Sequence, residues 1–539
     1  MKKHFQLLFI ALLAGSSAVC QVHITMDDPA TWSSEVLRPY IGQTVIFDMP
    51  MIVSTNTGST MTVSPWRRFV LLNQGVAGSD DYNETLRVNN SCMFSLSGVS
   101  GYHRCGEKII GLKASVVSPT KLTWISGTWS GNTRSDLSNA DVRQMVNIAG
   151  CDSCLLICGF NVENYFVRNL GKSYLGANNY SDHQKQRTKI QAALQKINAD
   201  IFGFCELEQG DDAVKEIVED LNKAIPSRNF RYFHDASMDA NQKVDYVYDA
   251  NLVEPIGTPA GTNEEVQNRK KIVCFRQIKT GERFNFSINH FKAMNTGDEY
   301  RRVNEAKAIV KLYNSYRQNR NVRDNDVLFM GDMNCYPFTE PILALTDNGM
   351  IDLHRAFHAD SSYSYVHSGY TAYIDHALCN ETLFRQVMGM SAFHINSDED
   401  DAYTYDKSED KTMFRCSDHD PVLVGLRLDS TLSNPIEPYF NGSDMGGDSV
   451  AFYCVYTPFD SVPLVYFDIY SINGFQVCPP TKITYEGDLF EEHTKYYTLS
   501  ASNPNIPAEL KRFLPLPPGM YVLHFYYKGT VTSHKLIVR

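Results

Sequence analysis

The 539-residue sequence predicts an α+β core set between two all-β regions. Three observations carry this. Residues 150–428 alternate apolar, strand-like runs with amphipathic helical stretches, as packed layers of mixed structure require. Residues 21–148 and 446–539 hold short apolar runs broken by Gly, Asn, Ser and Pro, the pattern of small β domains. Apolar residues make up 43%, charged residues 21% and aromatics 12%, which excludes wholesale disorder and suits a β-rich chain. A formal net charge of −11 disfavours field-driven adhesion to nucleic acid or anionic membrane, while leaving room for a local basic groove or a bound cation.

Residues 1–20 read as a secretory signal. Lys2 and Lys3 give the basic start, residues 5–13 the apolar core, and residues 15–20 the small residues before a cut expected after Cys20. Acylation of Cys20 is the rival reading. The apolar core is too short to span a bilayer, and no other stretch is long and apolar enough. The mature chain is expected to be secreted or displayed at the cell surface, with no membrane span.

In residues 21–148, runs at 44–47, 60–63 and 109–117 predict strands of a barrel-like domain, with one helix expected at 136–148. In residues 150–428, strands are expected at 155–160, 200–204, 243–248, 271–276, 284–289, 327–330, 371–379 and 421–428. Helices are expected at 184–198, with Ile190, Ala193, Leu194 and Ile197 on one face, at 211–224, with Val214, Ile217, Val218 and Leu221, and at 299–316. Residues 429–445 read as a linker. The final region reads as a β-sandwich, with a two-residue turn at Asn473-Gly474 and a closing strand pair near 519–527 and 535–539.

Of the 13 cysteines, Cys92 and Cys105 are the best expected disulfide pair. Cys151, Cys154 and Cys158 have no second Cys/His pair at zinc-finger spacing, so a local disulfide or a buried strand cysteine is expected there.

Chemistry-bearing residues gather at strand ends. Asn161 and Glu163 follow the 155–160 strand, and Glu206 and Glu208 follow the next. His290 and Lys292 follow 284–289, and Asp332 and Asn334 follow 327–330. Residues two apart share a side of an extended chain, so each pair can face one rim. His419 lies between Asp418 and Asp420, which favour its charged form. Carboxylates, carboxamides and histidines on one rim are the inventory for holding a divalent cation and attacking a phosphate ester.

Taken in order, Asn161-Val162-Glu163-Asn164-Tyr165, Glu206-Leu207-Glu208, Asn289-His290-Phe291-Lys292, Gly331-Asp332-Met333-Asn334, Tyr373-Ile374-Asp375-His376 and Ser417-Asp418-His419-Asp420 resemble the endonuclease/exonuclease/phosphatase superfamily. They are most similar to its branch of secreted bacterial nucleases, and residues 392–399 resemble that branch too. The resemblance implies a four-layer α/β/β/α sandwich over 150–428 and metal-dependent phosphodiester cleavage. It makes Glu206 the main metal ligand, with Asn161, Glu163 and Asp418 near the ion. Asp332 and Asn334 would orient or activate water, His290 and His419 would contact the phosphate, and Asp375 would fix the His419 tautomer. Lys292, Arg269 and Lys270 would add phosphate contacts. Mg²⁺ is the expected ion, with Mn²⁺ or Ca²⁺ as alternatives. One departure is Asp245 inside the 243–248 strand, which leaves the partner of His290 open.

Residues 467–474, 516–521 and 535–539 resemble a type IX secretion sorting domain, which implies outer-membrane secretion machinery as a partner. The expected function is therefore an exported nuclease acting on DNA or RNA. A phosphatase or sphingomyelinase-like phosphodiesterase with the same centre is one rival, and an inactive surface binding protein is another. The placement of Arg269, Lys270, Lys271, Arg301 and Arg302 discriminates, because a nucleic-acid substrate needs a basic groove beside the metal.

Overall fold

The computed structural model describes residues 21–428, apart from 57–59, 172–174, 236–241, 263–268, 320–321, 323 and 359–360, together with strands between 449 and 538. The expected signal segment, the 429–445 linker and the Asn473-Gly474 turn lie outside the described residues. The chain divides into two compact units, Met1–Arg67 with Arg87–Asn132, and Arg68–Leu86 with Thr133–Arg539.

In the first unit one sheet runs in the order Val22–Ile24, Thr44–Phe47, Lys108–Ser118, Met51–Asn56, Thr60–Ser64, Phe94–Ser97, Lys121–Ser130. The last strand also pairs with Lys108–Ser118, so five strands close on themselves and lose their free edges. Val45, Phe47, Met51, Val53, Phe94 and Ile109 point into the shared core. The Cys92–Cys105 pair is not formed. Cys92 is buried in that core with its sulfur 3.5 Å from Met26 Sδ, whereas Cys105 Sγ donates to the Ser54 carbonyl at 3.3 Å. A helix at Asp80–Asn90 was not expected. Its sequence lacks an apolar stripe, and Asp80 and Asp81 favour its N-terminus through the helix dipole.

The expected 136–148 helix is instead two short ones, Arg134–Asn139 and Val142–Met145. The Asp141 side chain accepts from the backbone of Arg143 and Gln144, which restarts the helix at that point. Cys151 and Cys154 form a local disulfide, and Cys158 is a buried strand residue.

The second unit holds the mixed α/β core. In chain order its elements are β1 (Leu155–Tyr165), α1 (Tyr180–Ile197), β2 (Ile201–Glu208), α2 (Asp212–Ala224), β3 (Phe230–Tyr232), β4 (Gln242–Asp249), β5 (Val253–Gly261) and β6 (Lys270–Gln277). There follow β7 (Arg283–Asn289), α3 (Glu299–Tyr316), β8 (Val327–Asp332), α4 (Glu340–Thr346), β9 (Met350–Asp352), β10 (Tyr365–His367), β11 (Tyr370–Ala372), β12 (Asp375–Asn380), β13 (Val387–Ala392) and β14 (Val422–Leu426). One six-stranded sheet has the order β3-β4-β2-β1-β14-β13 and the other β5-β6-β7-β8-β12-β9.

Strand alternation decides the packing. Leu155 and Ile157 of β1 join Phe286, Leu328 and Ala377 of the other sheet in one buried cluster. Leu156, Cys158 and Phe160 point the opposite way, onto Ile190 and Leu194 of α1 and the apolar face of α2. Ile309 and Tyr313 of α3 and Ile342 of α4 cover Phe329 and Leu378 of the second sheet. A Cβ at Gly203 would sit 2.8 Å from Phe286 of the facing sheet, so glycine sets that close approach. Gly331 has φ of +124°, and a Cβ there would lie 2.0 Å from the Asn289 carbonyl oxygen.

The single strand expected at 371–379 is divided. Tyr370–Ala372 pairs with Tyr365–His367 and with Arg68–Phe69, while Asp375–Asn380 pairs with β8. Between them the Tyr373 N–H donates to Asn73 Oδ1 at 3.0 Å, which takes the chain from one sheet to the other. Among the C-terminal residues, Val465–Ser471, Gln476–Ile483, Gly519–Tyr527 and Thr530–Val538 form a four-stranded antiparallel sheet, and Ser449–Val455, Gly487–Asp488 and Thr494–Ser500 a three-stranded one.

Candidate active site

Topology explains why the polar motifs converge. β1 and β2 run parallel, as do β7 and β8, so their C-terminal ends emerge together within each sheet. β12 and β14 run antiparallel to β8 and β1, so they begin where those strands end. The rim carries Glu206, His290, Asp332, Asn334, Asp418 and His419 around one pocket of about 500 Å³.

Four residues at this rim have positive φ without being glycine: Glu163 (52°), Asn164 (52°), Glu206 (64°) and Asn334 (48°). Such conformations cost about 1–3 kcal/mol each and persist where surrounding contacts over-determine them. At Glu206 the cause is visible, because the register of β2 against β1 slips between Cys205 and Leu207. The slip separates Glu206 from Glu208, which an extended strand would have kept on one side. Glu208 turns away and accepts from the backbone N–H of Val167, Arg168 and Asn169 at 2.7, 2.8 and 3.0 Å. Glu206 Oε2 accepts the Asn164 N–H at 2.9 Å, and the carboxylate lines the pocket.

Asp332 is held from two sides. Asn161 Nδ2 donates to its Oδ2 at 3.0 Å, and the Asn334 N–H donates to its Oδ1 at 2.9 Å. Burial lifts its carboxyl to about 7, with Asp375 and Glu206 adding to the rise against the opposing pull of His419. His419 Nδ1 lies 2.8 Å from Asp375 Oδ2, and its Nε2 lies 3.8 Å from Asp332 Oδ2 and 3.9 Å from Asp418 Oδ2. Burial alone would lower its pKa, but Asp375, Asp418 and Asp332 outweigh it and hold the imidazolium well above the ordinary range. His290 behaves oppositely. Burial, then Arg269, His419 and Lys270, push it well below its usual value, so the ring is neutral. Its Nε2 is 3.6 Å from Glu206 and 3.7 Å from Asp332, and its Nδ1 has no hydrogen-bond partner among the described residues. Asp245 does not orient it, since that carboxylate accepts from Lys243 at 2.5 Å.

The carboxylates crowd one another. Burial, then Asp418 and, more weakly, Glu206, raise Glu163 to about 8, and burial with Asp418 raises Glu206. Two like charges 4 Å apart repel by about 4 kcal/mol at the effective permittivity of a protein site. Several ionised carboxylates therefore share this rim only with protons or a cation among them. Glu163 Oε2 is buried without a hydrogen-bond partner, and Glu206, His290 and Asp332 place ligand atoms within 4.8 Å of one another. This oxygen-rich, under-compensated set fits a hard divalent ion.

The basic residues expected to meet phosphate divide. Arg269 and Lys292 line the pocket, and Arg269 Nη2 donates to Gln242 Oε1 at 2.5 Å. Lys270 does not reach it, because its buried ammonium lies 2.8 Å from Glu305 Oε1. Lys271 Nζ is 2.6 Å from Asp235, Arg302 donates to the Ala293 carbonyl at 3.2 Å, and Arg301 lies 3.5 Å from Asp298. Asn161 and Asp375 stand behind the rim as supports, and Glu163 lies beside Asp418 without lining the pocket.

Sequence reading missed several contributors. Tyr365 forms one wall, its ring centroid 5.5 Å from that of His419. Ser364 Oγ donates to Asp375 Oδ2 at 2.7 Å. Gln242 stands between Asn164 and Arg269, donating to the first and accepting from the second. None sits in a motif of charged residues, so only their place beside the rim marks them.

The fold and site together define a rim of carboxylates and histidines on a mixed α/β domain, with a donor set that fits a divalent ion. Residues 161–352 match the model of the Endonuclease/Exonuclease/phosphatase family, whose members act on phosphoester bonds. Among solved structures, an endonuclease/exonuclease/phosphatase from Bacteroides vulgatus is 16% identical, covering 52% of this chain and 100% of its own, with a TM-score of 0.37. A mannosyl-6-phosphatase from Bacteroides thetaiotaomicron is 17% identical over 50% of this chain and 98% of its own, with a TM-score of 0.36. D. rerio TDP2 complexed with single strand DNA product is 15% identical over 51% and 99%, with a TM-score of 0.35. No curated protein matches the chain.

Proposed function

We propose that this protein is an exported, divalent-cation-dependent hydrolase of phosphoester bonds, built on a four-layer α/β/β/α domain. The observation that carries the reading is one pocket with an imidazolium at His419, a neutral imidazole at His290 and mutually repelling carboxylates. Glu206, with Asp418 and Glu163 beside it, would hold Mg²⁺, Mn²⁺ or Ca²⁺. When bound, the ion supplies positive charge opposite the phosphoryl oxygens.

The chain's own residues account for the rest. Asp332, fixed by Asn161 and Asn334, is placed to take the proton of an attacking water, and a carboxyl near 7 suits that task at neutral pH. Asp375 keeps a proton on His419 Nδ1, which leaves the Nε2–H free to meet the negative charge that develops on phosphate. Neutral His290 can donate a hydrogen bond there without adding charge.

A small phosphoester or phosphodiester is the substrate supported best, because Lys270, Lys271 and Arg302 are committed elsewhere and, among the described residues, Arg269 and Lys292 are the basic side chains that flank the pocket. The second reading, an extracellular nuclease, is favoured by the Tyr365 ring, which offers a face for a nucleobase. Routing by a C-terminal sorting domain is supported by the motifs at 467–474 and 516–521.

The test is a parallel assay with Mg²⁺, Mn²⁺ and Ca²⁺ on p-nitrophenyl phosphate, bis-(p-nitrophenyl) phosphate, plasmid DNA, RNA and sphingomyelin. Turnover of the small esters with intact plasmid is expected. Plasmid or RNA cleavage at higher kcat/KM selects the nuclease, and no turnover of any substrate overturns the reading.

A further inference from the structure

The turn that carries His419 is pinned by a side chain with no assigned role. Asn396 is fully buried and uses both ends of its carboxamide on that turn. Its Oδ1 accepts the Cys416 N–H at 2.9 Å, and its Nδ2 donates to the His419 carbonyl at 2.6 Å. One planar group thus spans Ser417 and Asp418 and fixes both ends of the segment that aims the imidazole. The bonding is reciprocal, because buried Asp420 Oδ1 accepts the backbone N–H of Asn396 at 2.8 Å and of Ser397 at 2.9 Å. Each strand of the clasp therefore holds the backbone of the other. The far side of the ring is held separately by Asp375, itself held by Ser364.

We propose that Asn396 is a positioning residue: with Asp420 it forms a two-way clasp that sets the position of the His419 ring. This rests on the role given to His419 above. Neither Asn396 nor Asp420 lines the pocket, so both act only through the turn. Fixing the main chain at both ends of the four-residue segment from Cys416 to His419 matters because a displacement of about 1 Å in a catalytic group can lower a rate about 10²-fold.

The test compares wild type, Asn396→Ala, His419→Ala and the double variant on bis-(p-nitrophenyl) phosphate with Mg²⁺, alongside proton NMR of the His419 Nδ1–H shared with Asp375. Asn396→Ala is expected to lower kcat about 10- to 100-fold with KM within about twofold. In the His419→Ala background the same change is expected to alter kcat less than about twofold, since the clasp has no ring left to aim. The downfield Nδ1–H signal should broaden or move in Asn396→Ala while wild type keeps it. Equal losses in both backgrounds, or an unmoved signal in a folded Asn396→Ala protein, overturn the proposal. Should Asn396→Ala fail to fold, Asn396→Asp keeps the acceptor for Cys416 and loses the donor to His419, and the same outcomes apply. The NMR arm reads the clasp even if wild type turns over none of the substrates, so failure of the clasp and failure of the proposed activity are told apart.

Discussion

His419 and Asp375 form a buried pair, with Nδ1 of the imidazole 2.8 Å from Oδ2 of the carboxylate. Asp375 is the foremost of the three carboxylates that raise the His419 pKa. Replacing it by Asn keeps the shape but removes the charge and can present the wrong partner to Nδ1. Asp375→Asn is expected to lower kcat on the order of 10²–10⁴-fold. The alkaline limb of the kcat/KM profile should move to lower pH, because the imidazolium then loses its proton more readily. A profile whose alkaline limb stays in place contradicts the role given to His419.

Metal-free stability should fall as pH rises. The folded pKa of Glu163 is raised from 4.5 to about 8, so the neutral form is the one the fold prefers. Stability from this group is complete below about 4.5 and is lost as pH passes through about 8. The thermal midpoint of chelated protein is therefore expected to drop between pH 5 and 8, and Mg²⁺ should raise it more at pH 8 than at pH 5. Glu163→Gln should flatten the pH dependence. Scanning fluorimetry across pH with EDTA or Mg²⁺ reads all three effects.

Glu206 separates metal use from folding. Glu206→Gln removes a carboxylate from a crowded set, so the folded chain is expected to survive with an unchanged or higher metal-free midpoint. Activity should fall by on the order of 10²-fold or more, as expected when a group acting on the transition state is removed. Calorimetric titration with Mn²⁺ should show weakened binding, and wild-type affinity would place the ion elsewhere.

Lys270 and Lys292 should part company. Lys270→Ala leaves the buried Glu305 with the Lys292 N–H at 2.7 Å but without its opposite charge, which costs about 3–5 kcal/mol and appears in denaturant unfolding. Lys292→Ala leaves that pair intact and removes a charge from the pocket wall, so it is expected to raise KM about 3- to 10-fold with little change in unfolding midpoint. Interchanged effects would mean that Lys270, and not Lys292, faces the substrate.

Local chemistry made much of this protein legible in the chain. The apolar faces of α1 and α2 follow from 3.6-residue spacing, and both helices lie within a few residues of where that spacing puts them. Helix Asp80–Asn90 escaped because its few apolar residues, Tyr82, Leu86 and Val88, form no continuous stripe, and the 371–379 run looked continuous because its interruption depends on Asn73, some 300 positions away. The residue types of the rim, the strand ends that bear them and the order of the motifs are all set by the sequence. Tertiary structure alone decided which of them meet. A register slip at Cys205 parted Glu206 from Glu208, burial gave Lys270 to Glu305 instead of to the pocket, and pairing with Asp375 charged His419 while His290 was left neutral. The reason is physical: strand periodicity is a local property, whereas the charge of a buried group depends on neighbours that only packing brings within a few ångströms.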